Sequence, residues 1–461
     1  MEDSFDSSKY LWIVASGGIL SIFAAFGIGA NDVANAFATA IGSGALTVKS
    51  SLVLAAIFEF SGALFMGSHV TKTIRKGIAD YECFEEDPAI LMYGCMCVIM
   101  SVGIWLLVAS KLSLPVSTTH SAVGGMIGMT LVTAGPSCIS WNESTNEFPY
   151  RTGVTAIIIS WFLSPILSGI CSVFLFLILR HTCLRTENPF HNIWKFYPFI
   201  IGSTVTINAF FILWKGLKNM SNTIEAWSIG KVVGISFGIG GCVALSSIPF
   251  LHKLKQYVTI QRIPDTPSLT LDKITFDIHE NAEKFDQKSE EGLKYLQIFT
   301  SICDSFAHGA NDVANAIGPF AAIFMIYKNE DVNKSADMGT DAYWILGLGG
   351  FGIVLGLAFY GQNIINTMGT RLCKITPSRG ICIELGAAIV IITGARYGWP
   401  LSTTHCQIGA TTAIALLEGS NGLNWKIIFQ TCIGWIITLV IVGGLAAFLT
   451  AQGIYAPEKD Y

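Results

Sequence analysis

Residues 29–36 read Gly-Ala-Asn-Asp-Val-Ala-Asn-Ala, and residues 309–316 read the same eight letters. A second pair follows in the same order: Pro-Val-Ser-Thr-Thr-His at 115–120 and Pro-Leu-Ser-Thr-Thr-His at 400–405. Two unrelated polar strings that recur in order, at nearly one offset, mark an internal duplication. The chain must therefore fold as two related halves that place like chemistry in like positions.

The strings lie in an apolar setting. Hydrophobic residues make up 52% of the 461 and charged residues 13%, against about 25% charged in soluble domains. That balance indicates a membrane protein, with the lipid bilayer as its surroundings. The formal net charge of −4 carries no basic excess, so nucleic acid is not an expected partner. Met1-Glu2-Asp3 is acidic where a cleavable signal peptide is basic. The apolar run from Leu11 past Gly29 is long enough to remain as a span.

Candidate spans fall near 11–29, 50–67, 88–110, 117–134, 152–179, 196–214, 229–250, 295–308, 312–327, 343–363, 380–396, 402–418 and 427–450. A span needs roughly 20 residues and some of these runs are shorter, so about twelve crossings are expected. With the duplication, the expected fold is an all-α polytopic membrane protein of two inverted repeats with broken helices at the midplane. Many secondary transporters are built this way, with substrate at the repeat interface. The expected organisation is a transmembrane half at 1–251, a hydrophilic cytoplasmic loop at 252–294 and a second transmembrane half at 295–461.

Lys and Arg in short loops set orientation. Arg180, Arg185 and Lys195 flank one loop, and Arg371, Lys374 and Arg379 another. Both should be cytoplasmic, together with 252–294, whose mixed charges read as a solvated connector. The loops at 135–150 and 328–342 then fall outside, each with an N-x-[ST] sequon, at Asn142 and Asn333. Lys72, Arg75 and Lys76 also fall outside on this count, against the bias. The twelve cysteines form no CxxC pair and no Cys/His cluster. Cys95 and Cys97 read as small core residues. Cys83 and Cys138 share the expected exterior, which makes a disulfide between them a hypothesis.

Asp32 and Asp312 lie deep in apolar sequence, where a carboxylate costs about 2.5–3.5 kcal/mol on insertion scales. No Lys or Arg lies within ten residues of either string, so a bound cation is the expected partner. Asn31 and Asn35 are i and i+4, and Asp32 and Asn35 are i and i+3, on one helix face. Gly27, Gly29, Gly42 and Gly44 would let this helix break and free carbonyls for a hard cation, which takes oxygen ligands. The Ser-Thr-Thr strings suit an anion. Pro115 and Pro400 precede them, where helices tend to start, and Ser117 and Ser402 are good N-cap types. Hydroxyls and free N–H groups at the positive helix end form an anion site. Cations beside the carboxylates would relieve their repulsion of the anion, a physical basis for symport. Glu59 and Glu384, in apolar runs, are candidate coupling or gating groups. His120 and His405 read as helix-end packing. Asp304 and His308, at i and i+4, read as a pair outside the symmetric core.

At these residues the sequence resembles the inorganic phosphate transporter (PiT, Pho-4) family of sodium- or proton-coupled symporters. The doubled strings carry the likeness. Glu-Phe-Ser-Gly-Ala at 59–63, Thr-Ile-Arg-Lys-Gly-Ile at 73–78 and Thr-Pro-Ser-Arg-Gly-Ile-Cys-Ile-Glu-Leu-Gly-Ala-Ala at 376–388 extend it over nearly the whole chain. The resemblance implies an inverted-repeat helical fold, often dimeric. It implies phosphate held by Ser117, Thr118, Thr119, Ser402, Thr403 and Thr404, with Asn31 or Asn311. It implies cations near Asp32, Asn35, Asp312 and Asn315, and a need for Glu59 and Glu384 in transport. No cofactor is implied beyond the co-transported cation, sodium in the leading reading. A plasma-membrane location is the matching expectation. The central loop is shorter than in many eukaryotic relatives.

The alternative is proton-coupled transport of phosphate or sulfate, because a protonatable Asp does the same work as a bound cation. An intramembrane enzyme with an Asp32/Asp312 dyad is a different class. It leaves the doubled Ser-Thr-Thr without a task, and no metal motif or nucleophile elbow accompanies it. A receptor or scaffold is a third class, distinguished by function that survives Asp32→Asn.

Overall fold

In the computed structural model the described residues are 5–144, 150–216, 227–260, 272–332, 338–396 and 401–456. They are almost entirely helical: α1 Leu11–Ile28, α2 Ala34–Gly42, α3 Val48–Lys76, α4 Pro88–Lys111, α5 Thr118–Thr133, α6 Val154–Leu179, α7 Pro189–Phe211, α8 Ile229–Ile260, α9 Lys273–Asn281, α10 Gln287–Asn329, α11 Asp341–Tyr360, α12 Gln362–Asn366, α13 Pro377–Arg396, α14 Thr403–Leu416 and α15 Trp425–Tyr455. Among the described residues, nine helical segments are long and apolar enough to cross a bilayer. The expected runs at 295–308 and 312–327 are one continuous helix, α10. Those at 117–134 and 402–418 are the short helices α5 and α14.

The two copies run antiparallel. Ser7, just before α1, donates to Glu330 at the far end of α10 (2.9 Å). Ser43, just after α2, donates to Gln297 near the start of α10 (2.6 Å). As the first index rises along α1–α2, its partner's index falls along α10, which is the inverted arrangement. The short helices follow suit. Helix α5 runs toward the cap that includes 134–144 and 150–153, and α14 runs away from it, with Glu418 just past its end beside the opposite end of α6.

The Asn-Asp helices do not break at their glycines. The first copy passes through a π-helical turn, Gly29–Val33, and continues as α2. The second lies within unbroken α10. The glycines instead admit neighbouring backbones. A Cβ on Gly29 would lie 1.8 Å from the Ile353 carbonyl oxygen of α11, and one on Gly309 would lie 2.2 Å from that of Glu59 in α3. Small residues at membrane helix crossings permit such close approach. The chain interruptions fall at 112–117 and before Ser402, immediately ahead of the Ser-Thr-Thr helices.

The polar stretch is more structured than a solvated connector. Helix α8 continues to Ile260, and Asp272 caps α9 by accepting from the Thr275 amide. Residues 282–286 then dock against the ends of α6, α13 and α14. Arg379, only 2% exposed, donates to the Glu283 carbonyl (2.9 Å) and the Glu418 carboxylate (2.6 Å). Glu283 accepts from Arg180 and Arg185, and its own amide donates to Glu418 (3.0 Å). Burial raises the Glu283 carboxyl pKa, but hydrogen bonds from Arg185 and Arg180 outweigh that and hold it below the usual range. Phe176 and Phe285 line the Arg379 guanidinium. At the opposite end, Cys83 and Cys138 form a disulfide.

The glycine contacts make a specific prediction. Gly309→Ala adds a Cβ against a rigid carbonyl, with the ~1–3 kcal/mol cost of an overpacked contact. The melting temperature of the detergent-purified variant should fall clearly, although alanine favours helices. An unchanged melting temperature would contradict this packing.

Candidate ion and anion site

The interruptions bring the two Ser-Thr-Thr strings to helix starts. Ser117 accepts from the His120 amide (3.2 Å) and Ser402 from the His405 amide (3.3 Å), the expected N-caps. Thr118 and Thr119 open α5, and Thr403 and Thr404 open α14, so their hydroxyls sit at positive helix ends.

Those hydroxyls meet the carboxylates of both copies. Thr118 donates to Asp32 Oδ2 (2.8 Å) and Thr404 to Asp32 Oδ1 (2.6 Å). Thr403 donates to Asp312 Oδ2 (2.8 Å), with Asp32 Oδ2 at 3.5 Å. Asn315 Nδ2 donates to Thr118 Oγ1 (3.0 Å), Thr119 Oγ1 (3.4 Å) and Asp312 Oδ1 (3.1 Å). Each half therefore bonds the other. Asp32, Asp312, Asn315 and these four threonines are all buried. A buried carboxylate needs such donors, since an unpaired charge in low dielectric is costly.

Asn31 is equally buried but faces the interruption. Its Nδ2 donates to Leu114 O (2.9 Å) and Ser110 Oγ (3.2 Å), and its Oδ1 accepts from the Val116 amide (2.9 Å). It holds the chain that delivers Ser117 and Thr118. Asn311 is half-buried on α10. The Asn35 side chain lies outside the described residues, as do Pro400 and the sequon at Asn333.

Glu59 and Glu384 occupy separate environments. Glu59 accepts from Ser305 (3.1 Å) and lies 3.2 Å from His308 Nδ1. Glu384 accepts from Thr39 (2.6 Å), Ser301 (2.8 Å), Gln297 (3.2 Å) and Thr300. It thus ties α13 to α2 and α10. Sequence reasoning set His308 aside with Asp304. The structure places it at the centre, with Nε2 2.8 Å from Asp312 Oδ2 and 3.9 Å from Asp32 Oδ1. Only its position four residues before Asp312, one turn away on the same face, signalled this. His120 and His405 pack as expected, ring centroids 4.6 Å apart, between Trp161 and Trp435.

Asp32, His308 and Asp312 bring potential ligand atoms within 4.8 Å of one another. The two carboxylates and the threonine hydroxyls around them form an oxygen set suited to a hard cation. The adjoining cavity, lined by Asp32, Ala36, Asp304, His308, Ile391, Thr403 and Gln407, holds about 10 Å³. That is room for about one water molecule. A tetrahedral oxyanion requires the lining groups to separate.

The chain is similar to known proteins along nearly its whole length. Residues 28–446 match the sequence profile of the PHO4 phosphate transporter family. The phosphate-repressible phosphate permease of Neurospora crassa is 26% identical over 590 aligned residues, covering 98% of this chain and 99% of its own length. The chloroplastic inorganic phosphate transporter 2-1 of Arabidopsis thaliana is 32% identical over 451 residues, covering 94% of this chain and 70% of its own length. A solved structure of a sodium-dependent phosphate transporter superposes with a TM-score of 0.79 at 32% identity, covering 96% of this chain and 100% of that one.

The role of Asn31 is open to test. Asn31→Ala would leave the buried Val116 amide and Leu114 carbonyl without their partner, at about 1–3 kcal/mol each. Thermal unfolding of the purified protein should shift down accordingly. A wild-type transition would remove Asn31 from the support of the Ser-Thr-Thr helix.

Proposed function

Because the chain belongs to the phosphate transporter family and is a multi-pass membrane protein, we propose that it moves inorganic phosphate by cation-coupled symport, with sodium as the cation. The supporting observation is that Thr118, Thr403 and Thr404 give their hydroxyl protons to Asp32 and Asp312.

Each hydroxyl has one proton and two lone pairs. With sodium on the carboxylates, a threonine oxygen coordinates the ion through its lone pairs and its proton turns to a phosphate oxygen. Backbone N–H groups at the starts of α5 and α14 complete the anion site. Without the cation, phosphate faces two carboxylates. One such repulsion is about 4 kcal/mol at 4 Å and an effective dielectric of about 20, roughly a thousandfold in affinity. Cation and phosphate therefore bind together. The site residues in this reading are Ser117, Thr118, Thr119, Ser402, Thr403 and Thr404 for phosphate, with Asn31 and Asn311 in support. Asp32, Asn35, Asp312 and Asn315 hold the cations.

The inverted halves alternate access to this site, and Glu59 and Glu384 couple neighbouring helices to it. The Arg379–Glu418–Glu283 network closes one end and must loosen for that end to open. The family resemblance supports a plasma-membrane location and a homodimer in this reading.

His308, between Glu59, Asp312 and Asp32, favours a second reading in which a proton replaces sodium. Radiolabelled phosphate uptake into proteoliposomes separates the two. Sodium-dependent uptake without a proton gradient is expected. Uptake driven by a proton gradient in choline, abolished by a protonophore, would install the proton reading, and sulfate uptake alone would change the substrate.

Asp32→Asn and Asp312→Asn should each lower uptake to background with normal expression, and normal uptake in either would refute the cation assignment. Thr118→Ala and Thr403→Ala should raise the KM for phosphate. A hydrogen bond to a charged group is worth about 1.5–3 kcal/mol, so the rise should be at least about tenfold. Unchanged KM in both would take the hydroxyls out of the site.

A further inference from the structure

We propose that Asn142 is an N-glycosylation site and that the cap carrying it faces the extracytoplasmic compartment.

The cap is a folded unit. The Ser140 amide donates to Ile78 O (2.9 Å) and the Asp80 amide to Cys138 O (2.9 Å), and the Cys83–Cys138 disulfide joins the same two segments. Beyond them, Glu143–Ser144 pairs antiparallel with Arg151–Thr152. Asn142 and Ser144, the first and third residues of the sequon, are both exposed. Arg151 Nη1 donates to Asn142 Oδ1 (3.1 Å) and to Ser144 Oγ (3.0 Å). Alternate residues of an extended chain share one face. Amide and hydroxyl are thus presented together, as the acceptor chemistry requires.

Helix α6 fixes the side. It leaves the cap at Val154 and runs through Leu179, a rise of about 1.5 Å per residue that exceeds the roughly 30 Å bilayer core. Its far end carries Arg180 and Arg185, close to Arg379. Basic residues gather on the cytoplasmic side. Lys72, Arg75 and Lys76 end α3 on the cap side and oppose this bias. The disulfide decides between them, because disulfides persist in oxidising, extracytoplasmic compartments.

The donor is a lipid-pyrophosphate-linked oligosaccharide, used by the host oligosaccharyltransferase. The Asn142 Nδ2–C1 glycosidic bond forms as the sugar C1–O bond breaks. The lipid pyrophosphate leaves, and the displaced amide proton passes to the enzyme's base.

The test is expression in a eukaryotic secretory host, followed by peptide-N-glycosidase treatment and gel electrophoresis. Wild type and Asn333→Gln should shift on treatment, and Ser144→Thr should keep the shift. Asn142→Gln and Ser144→Ala should lack it while retaining phosphate uptake. An unshifted wild type would overturn the proposal, as would a shift that persists in both Asn142→Gln and Ser144→Ala.

Discussion

Threonine hydroxyls of both halves donating to Asp32 and Asp312, with Thr404 reaching across to Asp32 and Asn315 across to Thr118, are the interaction on which the rest depends. A carboxylate this deeply buried is unfavourable alone. Two of them close together are tolerated because Thr118, Thr403, Thr404, Asn315 and His308 surround them. Both helix starts arrive from opposite directions at one point to satisfy them, as the inverted pair of halves allows. The close glycine contacts of Gly29 on α11 and Gly309 on α3 let the polar helices come near enough to share that point.

The same network gives the site its proposed coupling. Its threonine protons are already given to the carboxylates, so a phosphate ion gains nothing by displacing a threonine from a carboxylate unless something else takes the carboxylate. A cation does so. In the proposed symport, coupling needs no long-range relay, because the two ligands share the same hydroxyl groups, the cation through their lone pairs and phosphate through their protons. Energy coupling of this kind is reciprocal by linkage.

Much of this was legible in the sequence because polar strings in apolar runs are rare and these recur. Ser117 and Ser402 cap their helices as proline and N-cap preference suggest, and Asp32 and Asp312 meet as the duplication requires. The family resemblance implies Asn31 or Asn311 beside phosphate, and the structure adds a task for Asn31, whose amide holds the 112–117 interruption. The glycines near Asp32 were read as a break, yet they serve close approach between helices. Glycine permits either, and the choice is made by a neighbour hundreds of residues away. For His308 the spacing to Asp312 was the one sequence signal, and the rest was hidden for the same reason: Glu59 and Asp32 reach it through tertiary contact. The docking of 282–286 was missed because Glu283, Arg379 and Glu418 look like ordinary surface charges until α6, α13 and α14 bring their ends together.

The most direct test of the central claim is equilibrium binding of radiolabelled phosphate to the purified protein, at fixed pH, in sodium and in choline. The account predicts that sodium tightens phosphate binding at least about tenfold, and that phosphate tightens sodium binding by the same factor. Equal phosphate affinity in the two salts would contradict it, and would mean that the carboxylates at Asp32 and Asp312 are not the groups a cation must satisfy before phosphate binds.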